Sequence, residues 1–222
     1  LVTDPEVAAL FEGWVKRTTS AVRANVLGTK LIQLTLPGVA DVYQGTESHL
    51  IALVDPDNRG PVDAEALATR LARLDAGATP SGLSEEKLAL TAAALRIRRA
   101  HPGAFAGAQA GYRPLPTSTG HAVAFARTED GQARSVTIAT RLSASLHPHG
   151  GWNENTVVLP EGQWRNVLAG ADAEPIEGGP QELADLLKVR PVALLEALDV
   201  AAEQRPRHRV GHRLMERAGG QC

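Results

Sequence analysis

The stretch LIQLTLPGVADVYQGTE, Leu31 to Glu47, decides how the fold of this chain is interpreted. It starts within an apolar helical pattern and reaches a Pro-Gly pair, which is a typical helix end. The run Ala40 to Tyr43 that follows predicts one short buried strand. A helix, a turn and a strand in this order form the step from which parallel sheets are built.

A single strand needs neighbours that complete its backbone hydrogen bonds. No other helix–strand step flanks residues 40–43, so we expect the partner strands to come from sequence before Leu1, which is not a methionine. The sequence therefore predicts a piece of a longer protein.

Four amphipathic helices are predicted around this stretch. The first begins at Asp4-Pro5-Glu6, where a capping carboxylate precedes a proline at the first helical position. A second is expected from Thr18 to Leu34, a third after Asp63, and a fourth from Ser84 to about His101. Their apolar faces are predicted to carry Val7, Leu10, Phe11 and Trp14 in the first helix, Leu27, Leu31 and Leu34 in the second, and Leu67, Leu71 and Leu74 in the third.

From Gly111 onward the apolar pattern changes to a period of two, which is typical of strands with one buried face. Turn-forming residues separate the periodic segments, so the sequence predicts a small antiparallel β-sheet domain. Its strands are expected at residues 121–127, 135–141, 155–160, 163–168 and 191–195. Residues 199–222 lose the period and gain arginine, and we interpret them as a basic, disordered tail.

Composition excludes several classes of protein. The 222 residues carry a formal net charge of -2, which gives no general attraction to nucleic acid. No apolar stretch reaches the length of a membrane span, and the first residues do not have the pattern of an export signal. The single cysteine, Cys222, excludes an internal disulfide framework and is typical of a reducing compartment. We expect a cytoplasmic protein that binds neither nucleic acid nor membrane.

Two blocks of the sequence resemble a known enzyme family. Leu31 to Glu47 and LVDPDNRGPVD, Leu53 to Asp63, are similar to the segment of the maltooligosyl trehalose synthases that reads approximately LTxPGVPDxYQGTE and LVDPDNRRPVD. The similarity continues through KLALTAAALRIRRAHPGAF, YRPLP, LPEGQWRNVLAG and PVALLE, up to about Leu198. The sequence departs from the family pattern in two places. Gly60 replaces the family's second arginine, and the segment 48–52 lacks the usual aromatic and acidic residues.

The resemblance implies the fold and its division. Residues 1–108 are expected to form the end of an α-amylase-clan (β/α)8 barrel, with its last strand near residues 40–43 and helices after it. Residues 109–198 are expected to form a carboxy-terminal antiparallel β domain, followed by the tail at 199–222. The expected fold class is therefore α/β plus β.

The resemblance also implies an isomerase of trehalose biosynthesis. Such an enzyme converts the reducing-end α-1,4 linkage of a maltooligosaccharide into an α,α-1,1 linkage, with the released glucose attacking a covalent glycosyl-enzyme in place of water. Retaining chemistry needs two carboxyl groups about 5–5.5 Å apart. By the resemblance, the catalytic acids lie on earlier barrel strands, so none is expected in this chain. No metal or organic cofactor is needed, and the expected partners are an α-1,4-glucan and the upstream barrel of the same protein.

Five residues are candidates for substrate binding. Gln44 and Glu47 directly follow the predicted strand, where barrel loops supply site residues, and amide or carboxylate groups suit glucosyl hydroxyls. Asp55 and Arg59 match a clan motif, DPxxR, that resembles a sugar-hydroxyl clamp, and Asp57 lies between them. An acid and an arginine four residues apart could equally pair with each other.

Two other functions stay open at this point. The chain could be part of another α-amylase-clan glycoside hydrolase, or it could act alone as a non-catalytic carbohydrate-binding or structural module. Trp14, Trp152 and Trp164 each suit either a sugar platform or a core position, and Trp152, after a Gly-Gly turn, is the best to test. Two histidine pairs are interpreted as polar surface and not as metal ligands: His147 with His149, and His208 with His212.

Overall fold

The computed structural model describes residues 4–52, 60–146, 148, 150–170 and 172–198. Most of the helical residues come first and the strands follow. The helices are α1 (Pro5–Thr35), α2 (Ala64–Asp75), α3 (Leu83–Ala100), α4 (Pro102–Phe105), α5 (Ser143–Leu146) and α6 (Leu183–Leu186). The strands are β1 (Ala110–Pro114), β2 (Ala122–Glu129), β3 (Gln132–Thr140), β4 (Thr156–Asn166), β5 (Ile176–Glu182) and β6 (Val192–Leu198).

One continuous helix, α1, replaces the two helices predicted between Asp4 and Leu34. The predicted cap is present, since Asp4 Oδ1 accepts a hydrogen bond from the Glu6 amide at 2.9 Å. The predicted break at Thr18 is wrong. The Thr18 hydroxyl donates to the Trp14 carbonyl at 3.0 Å, so the threonine is accommodated within the helix. The helical backbone continues through residue 18, and only the side of the helix that carries the apolar residues changes there.

The segment after α1, residues 39–43, forms neither helix nor strand, and within it the Asp41 carbonyl accepts a hydrogen bond from the Gln33 side chain. Gly38, with φ of 106°, follows the end of the helix. No strand forms at residues 40–43 within the described part of the chain, where the sequence predicts one. The reason is physical: a strand is stabilised by a hydrogen-bonded neighbour, and all the strands that the structure describes lie after residue 109.

The predicted antiparallel sheet is confirmed. The described strands form one six-stranded sheet in the order β1-β2-β3-β6-β4-β5, with antiparallel neighbours throughout. A two-residue turn joins β2 to β3, in which Asp130 and Gly131 both have positive φ, 49° and 80°. Asp-Gly is the pair that such a hairpin favours.

The edge formed by β4 and β5 differs from the prediction. Residues 155–160 and 163–168 were predicted as two strands, but β4 is one strand whose register with β5 shifts between Leu159 and Gln163. β5 was not predicted, because Gly178, Gly179 and Pro180 interrupt its period. A Cβ at Gly178 would lie 2.4 Å from the Pro160 carbonyl oxygen, so only glycine fits beside the irregular part of β4.

The helices and the sheet share a core. β6 alternates, with Val192 and Leu194 in the cluster that faces the helices and Ala193 and Leu195 in the cluster on the opposite face. The helix-facing cluster includes Leu27, Leu31 and Leu34 of α1, which are fully buried as predicted, together with Leu90, Ala94 and Ile97 of α3. This core crosses the predicted domain boundary at residues 108 and 109.

Candidate substrate-binding site

The predicted site residues fall into two groups. Gln44 and Glu47 lie in a turn, residues 44–47, that directly follows residues 39–43. Asp55, Asp57 and Arg59 lie outside the described residues. The turn is closed by Thr46, whose amide and hydroxyl both donate to the Tyr43 carbonyl, at 3.2 and 2.6 Å. Gly45 adopts a φ of 82°, which favours glycine at this position.

Gln44 has an exposed side chain. Its Nε2 lies 3.5 Å from the Gly60 carbonyl oxygen, which is the long limit of a hydrogen bond. The contact brings together the two sequence blocks on which the family resemblance rests. Gly60 is also the position at which the family has its second arginine.

Glu47 has a different environment. Its Oε2 is shielded from solvent and has no hydrogen-bond partner among the residues that the structure describes. The nearby Thr46 hydroxyl contacts Lys30 Nζ of α1 at 3.4 Å, and Lys30 itself is buried. A buried carboxylate oxygen without a hydrogen bond requires another source of stabilisation.

Two lysines respond to the charge of Glu47. Burial lowers the pKa of Lys30, and the negative charge of Glu47 acts in the opposite direction. Burial likewise lowers the pKa of Lys87 on α3, the positive charge of Lys30 lowers it further, and Glu47 again opposes the change. The charge of Glu47 is therefore coupled electrostatically to one lysine of α1 and one of α3.

The two helices that carry these lysines are held together. Arg23 of α1 donates to both carboxylate oxygens of Glu86 on α3, at 2.6 and 2.7 Å. This bidentate pair fixes the orientation of both groups. Because α1 and α3 also share the buried core, the charged group of Lys30, Glu47 and Lys87 rests on a rigid base.

Sequence reasoning missed Lys30 and Lys87. Lys30 does carry a signal, since it is adjacent to Leu31 and lies near Leu27 and Leu34, which form the inward face of α1. A lysine at the edge of such a face predicts a charge that needs a partner. Lys87 has no comparable signal, because its approach to Glu47 depends on how α3 packs against α1.

The three tryptophans differ in burial. Trp164 is fully buried, and its indole Nε1 donates to the Pro160 carbonyl at 2.9 Å, so it is a core residue and no sugar platform. Trp14 is exposed. Trp152 is half-buried beside the core and lines a cleft of about 570 Å³ between α1 and the sheet.

The described ranges contain neither a cluster of metal ligands nor a membrane-spanning helix. There, no group of three or more His, Cys, Asp or Glu side chains is close enough to hold a metal ion. Both histidine pairs discussed above include residues outside those ranges. None of the described helices combines the length and the apolar character needed to cross a membrane.

Comparison with known proteins gives close matches over one segment. No protein-family model matches the sequence. Proteins named maltooligosyl trehalose synthase from two strains of Mycobacterium tuberculosis, CDC 1551 and H37Rv, are 38% identical to this chain over 198 residues. The match covers 88% of this chain and 23% of each relative.

Solved structures agree with the sequence comparison. The maltooligosyltrehalose synthase from Arthrobacter ramosus is 37% identical and superposes with a TM-score of 0.78, over 89% of this chain and 25% of that one. A structure named DSM5389 glycosyltrehalose synthase has a TM-score of 0.62 at 20% identity, a likeness of fold alone. The chain thus spans about a quarter of the length of the relatives it matches.

Proposed function

Because this chain is homologous to one segment of the maltooligosyl trehalose synthases, we propose that it is the carboxy-terminal part of such an enzyme. The observation that carries the proposal is 38% identity to the mycobacterial proteins over 198 residues. The motif from Leu31 to Glu47 covers the end of α1, the connecting segment and the turn that the structure describes. The single cysteine is typical of a reducing compartment, and we propose the cytoplasm.

The proposed reaction is an isomerisation without net consumption of water. The α-1,4 bond to the reducing-end glucose breaks, and an α,α-1,1 bond to the same glucose forms, so the chain keeps its length and loses its reducing end. A hydrolase of the same clan would instead add a reducing end for each bond cleaved. Isomerisation lowers the concentration of reducing ends and hydrolysis raises it, so one assay of reducing ends distinguishes the two reactions.

Within the intact enzyme, residues 40–43 would form the last strand of the catalytic barrel. The segment forms neither helix nor strand on its own, and no backbone amide from residue 39 to residue 43 donates a hydrogen bond to any part of the chain that the structure describes. Val39 and Tyr43 on this segment are exposed. Neighbouring strands from the preceding sequence would satisfy the backbone and cover these side chains.

The turn after this strand would face the sugar. Gln44 presents an exposed amide, which suits a glucosyl hydroxyl, and we assign it a direct contact together with Asp55, Asp57 and Arg59. Glu47 is better placed to hold the turn, since its Oε2 is shielded from solvent and its charge opposes the lowered pKa of Lys30 and of Lys87. No residue of this chain is assigned to the bond-breaking step.

The test is a chimera in which this chain replaces the matching quarter of the Arthrobacter ramosus enzyme. Incubated with maltopentaose, the chimera should lower the concentration of reducing ends while the pentasaccharide mass stays constant. A rise in reducing ends would identify a hydrolase. No change, with the parent enzyme active, would favour the binding or structural module. The isolated chain should change neither quantity, and a product from it would show that the catalytic acids lie within these residues.

A further inference from the structure

Two clefts lie next to each other along the first half of α1. The smaller, of about 460 Å³, is formed by α1 and the start of α3. The larger, of about 570 Å³, is formed by α1, the end of β3 and the residues before β6. Thr19 and Arg23 line both clefts, so the two are adjacent at this point of the helix. We call them together the α1 groove, whose lining includes Trp14, Thr18, Thr19, Arg23, Glu86 and Trp152.

Each cleft of the α1 groove carries one tryptophan. Trp14, 57% exposed, lines the smaller cleft, and the half-buried Trp152 lines the larger. Neither indole Nε1 donates a hydrogen bond to a described residue, in contrast to that of Trp164. Clefts of this volume with an aromatic lining and a few polar groups are typical of small-molecule sites, and an aromatic face suits the apolar face of a sugar ring.

Hydroxyl groups lie between the two tryptophans. The Thr18 hydroxyl donates to the Trp14 carbonyl at 3.0 Å, and the Thr19 hydroxyl donates to the Val15 carbonyl at 2.7 Å. A hydroxyl that donates to the helix backbone keeps its lone pairs. Both threonines can therefore accept a hydrogen bond from a ligand hydroxyl.

Arg23 supplies a fixed donor at the junction of the two clefts. Its Nε and Nη2 donate to Glu86 at 2.7 and 2.6 Å, and Nη2 also donates to the Val189 carbonyl at 3.0 Å. Its Nη1 donates to no described residue, so that group is available to a ligand. Glu86 balances the charge of Arg23, which favours a neutral ligand at the junction, although Lys16 and Lys188 also line the larger cleft.

We propose that the α1 groove binds an α-1,4-linked glucan. The sugar chemistry is argued from the aromatic faces, the acceptors and the donor of the groove, whereas the α-1,4 linkage rests on the proposed function. Trp14 and Arg23 are nine residues apart, roughly 14 Å along the helix axis at 1.5 Å per residue, so the groove suits an oligosaccharide. Gln44 and Glu47 follow the other end of α1 and do not line the groove.

The test measures binding of maltoheptaose to the 222-residue chain by isothermal titration calorimetry. Trp14→Ala should raise the Kd about tenfold, as expected for an aromatic anchor. Thr19→Arg should abolish binding, because it places a long side chain between the clefts at an exposed helix position where the fold is retained. Trp152→Ala should also raise the Kd, with the melting temperature recorded because Trp152 contacts the core.

The matched control is Tyr112→Ala, which removes an exposed aromatic side chain of β1 that lines neither cleft and should leave the Kd unchanged. An unaltered Kd in both Trp14→Ala and Thr19→Arg would overturn the proposal, as would a parent chain that binds no maltoheptaose. Loss of binding in Gln44→Ala would place the sugar at the 44–47 turn instead. Competition by inorganic phosphate would identify a site for anions and contradict the assignment to a neutral glucan.

The readout distinguishes this inference from the proposed function, because calorimetry reports binding whether or not the chimera isomerises maltopentaose. An inactive chimera, together with a chain that binds maltoheptaose through Trp14 and Thr19, would support the groove and contradict the proposed function alone. An active chimera, together with a chain that binds no maltoheptaose, would contradict the groove alone.

Discussion

The sheet region, residues 110–198, and the amino-terminal region, residues 5–52, differ in how far their own residues pair the backbone and bury large apolar side chains. In the sheet region each strand has a hydrogen-bonded neighbour, and Trp164 is only 1% exposed. In the amino-terminal region Trp14 is exposed, and no backbone amide of residues 39–43 donates a hydrogen bond to a described residue. The described strands thus pair with one another, whereas residues 39–43 have no strand partner among the described residues.

The largest expected effect compares two tryptophans. Trp164→Ala should lower the free energy of unfolding by about 3–5 kcal/mol, because it leaves a cavity and removes the hydrogen bond to Pro160. Trp14→Ala should change it by no more than about 0.5 kcal/mol, as expected for an exposed site. Urea unfolding of the isolated chain, followed by far-ultraviolet circular dichroism, measures both. Similar losses for the two variants would show that Trp14 packs within this chain.

Two leucines of α1 give the next comparison. Leu31→Ala should cost about 2–5 kcal/mol, since Leu31 is fully buried between α1 and the sheet. Leu10→Ala should be close to neutral, because alanine is a good helix former and little burial is lost. The same unfolding experiment applies. If Leu10→Ala costs as much as Leu31→Ala, Leu10 packs within this chain.

A smaller effect is expected from Glu47. Glu47→Gln removes the charge that opposes the lowered pKa of Lys30 and of Lys87. We expect a loss of about 1–3 kcal/mol, between the values for exposed and for buried ion pairs. Gln44→Ala is the matched control from the same turn, and its exposed side chain predicts no change. If both variants have the stability of the parent chain, the turn is not held by these charges.

The smallest effect concerns pH. Arg73 and the Ser81 amide hold the pKa of Glu85 down to about 2. The pKa in the folded chain lies below that in the unfolded chain, so the stabilisation is complete above pH 4.5 and is lost as the pH falls toward 2. Glu85→Gln should flatten the fall of the melting temperature in that range, while Glu154→Gln, an exposed control, should not. An unchanged slope for Glu85→Gln would contradict the pairing.

The sequence predicted the elements whose pattern is local. The leucines at 27, 31 and 34 lie three and four residues apart and are buried, and the Asp-Gly turn between β2 and β3 fits its hairpin. The predictions failed where a distant contact decides the outcome. Gly178 interrupts the alternating apolar pattern of β5. A glycine is needed there because a Cβ would clash with the Pro160 carbonyl oxygen on the neighbouring strand β4.

The site was predicted from its motif only in part. Gln44 and Glu47 were predicted because they follow a recognisable segment, and their substrate contact stays a prediction. The environment of Glu47 depends on Lys30 and Lys87, which are distant along the chain. The first helix was predicted to carry an apolar face of Val7, Leu10, Phe11 and Trp14, and the last three of these are exposed in the described part of the chain. A pattern of side chains shows that a helix has an apolar side, and it does not show which body covers that side.

Hydrogen exchange at residues 39–43 tests the central claim most directly. Mass spectrometry should show rapid exchange of these amides in the isolated chain and strong protection in the chimera, because barrel strands would then pair with them. Residues 136–140 of β3 serve as the internal control and should be protected in both proteins. Equally rapid exchange at 39–43 in a folded, active chimera would contradict the account, since the segment would then have no strand partner in the complete enzyme.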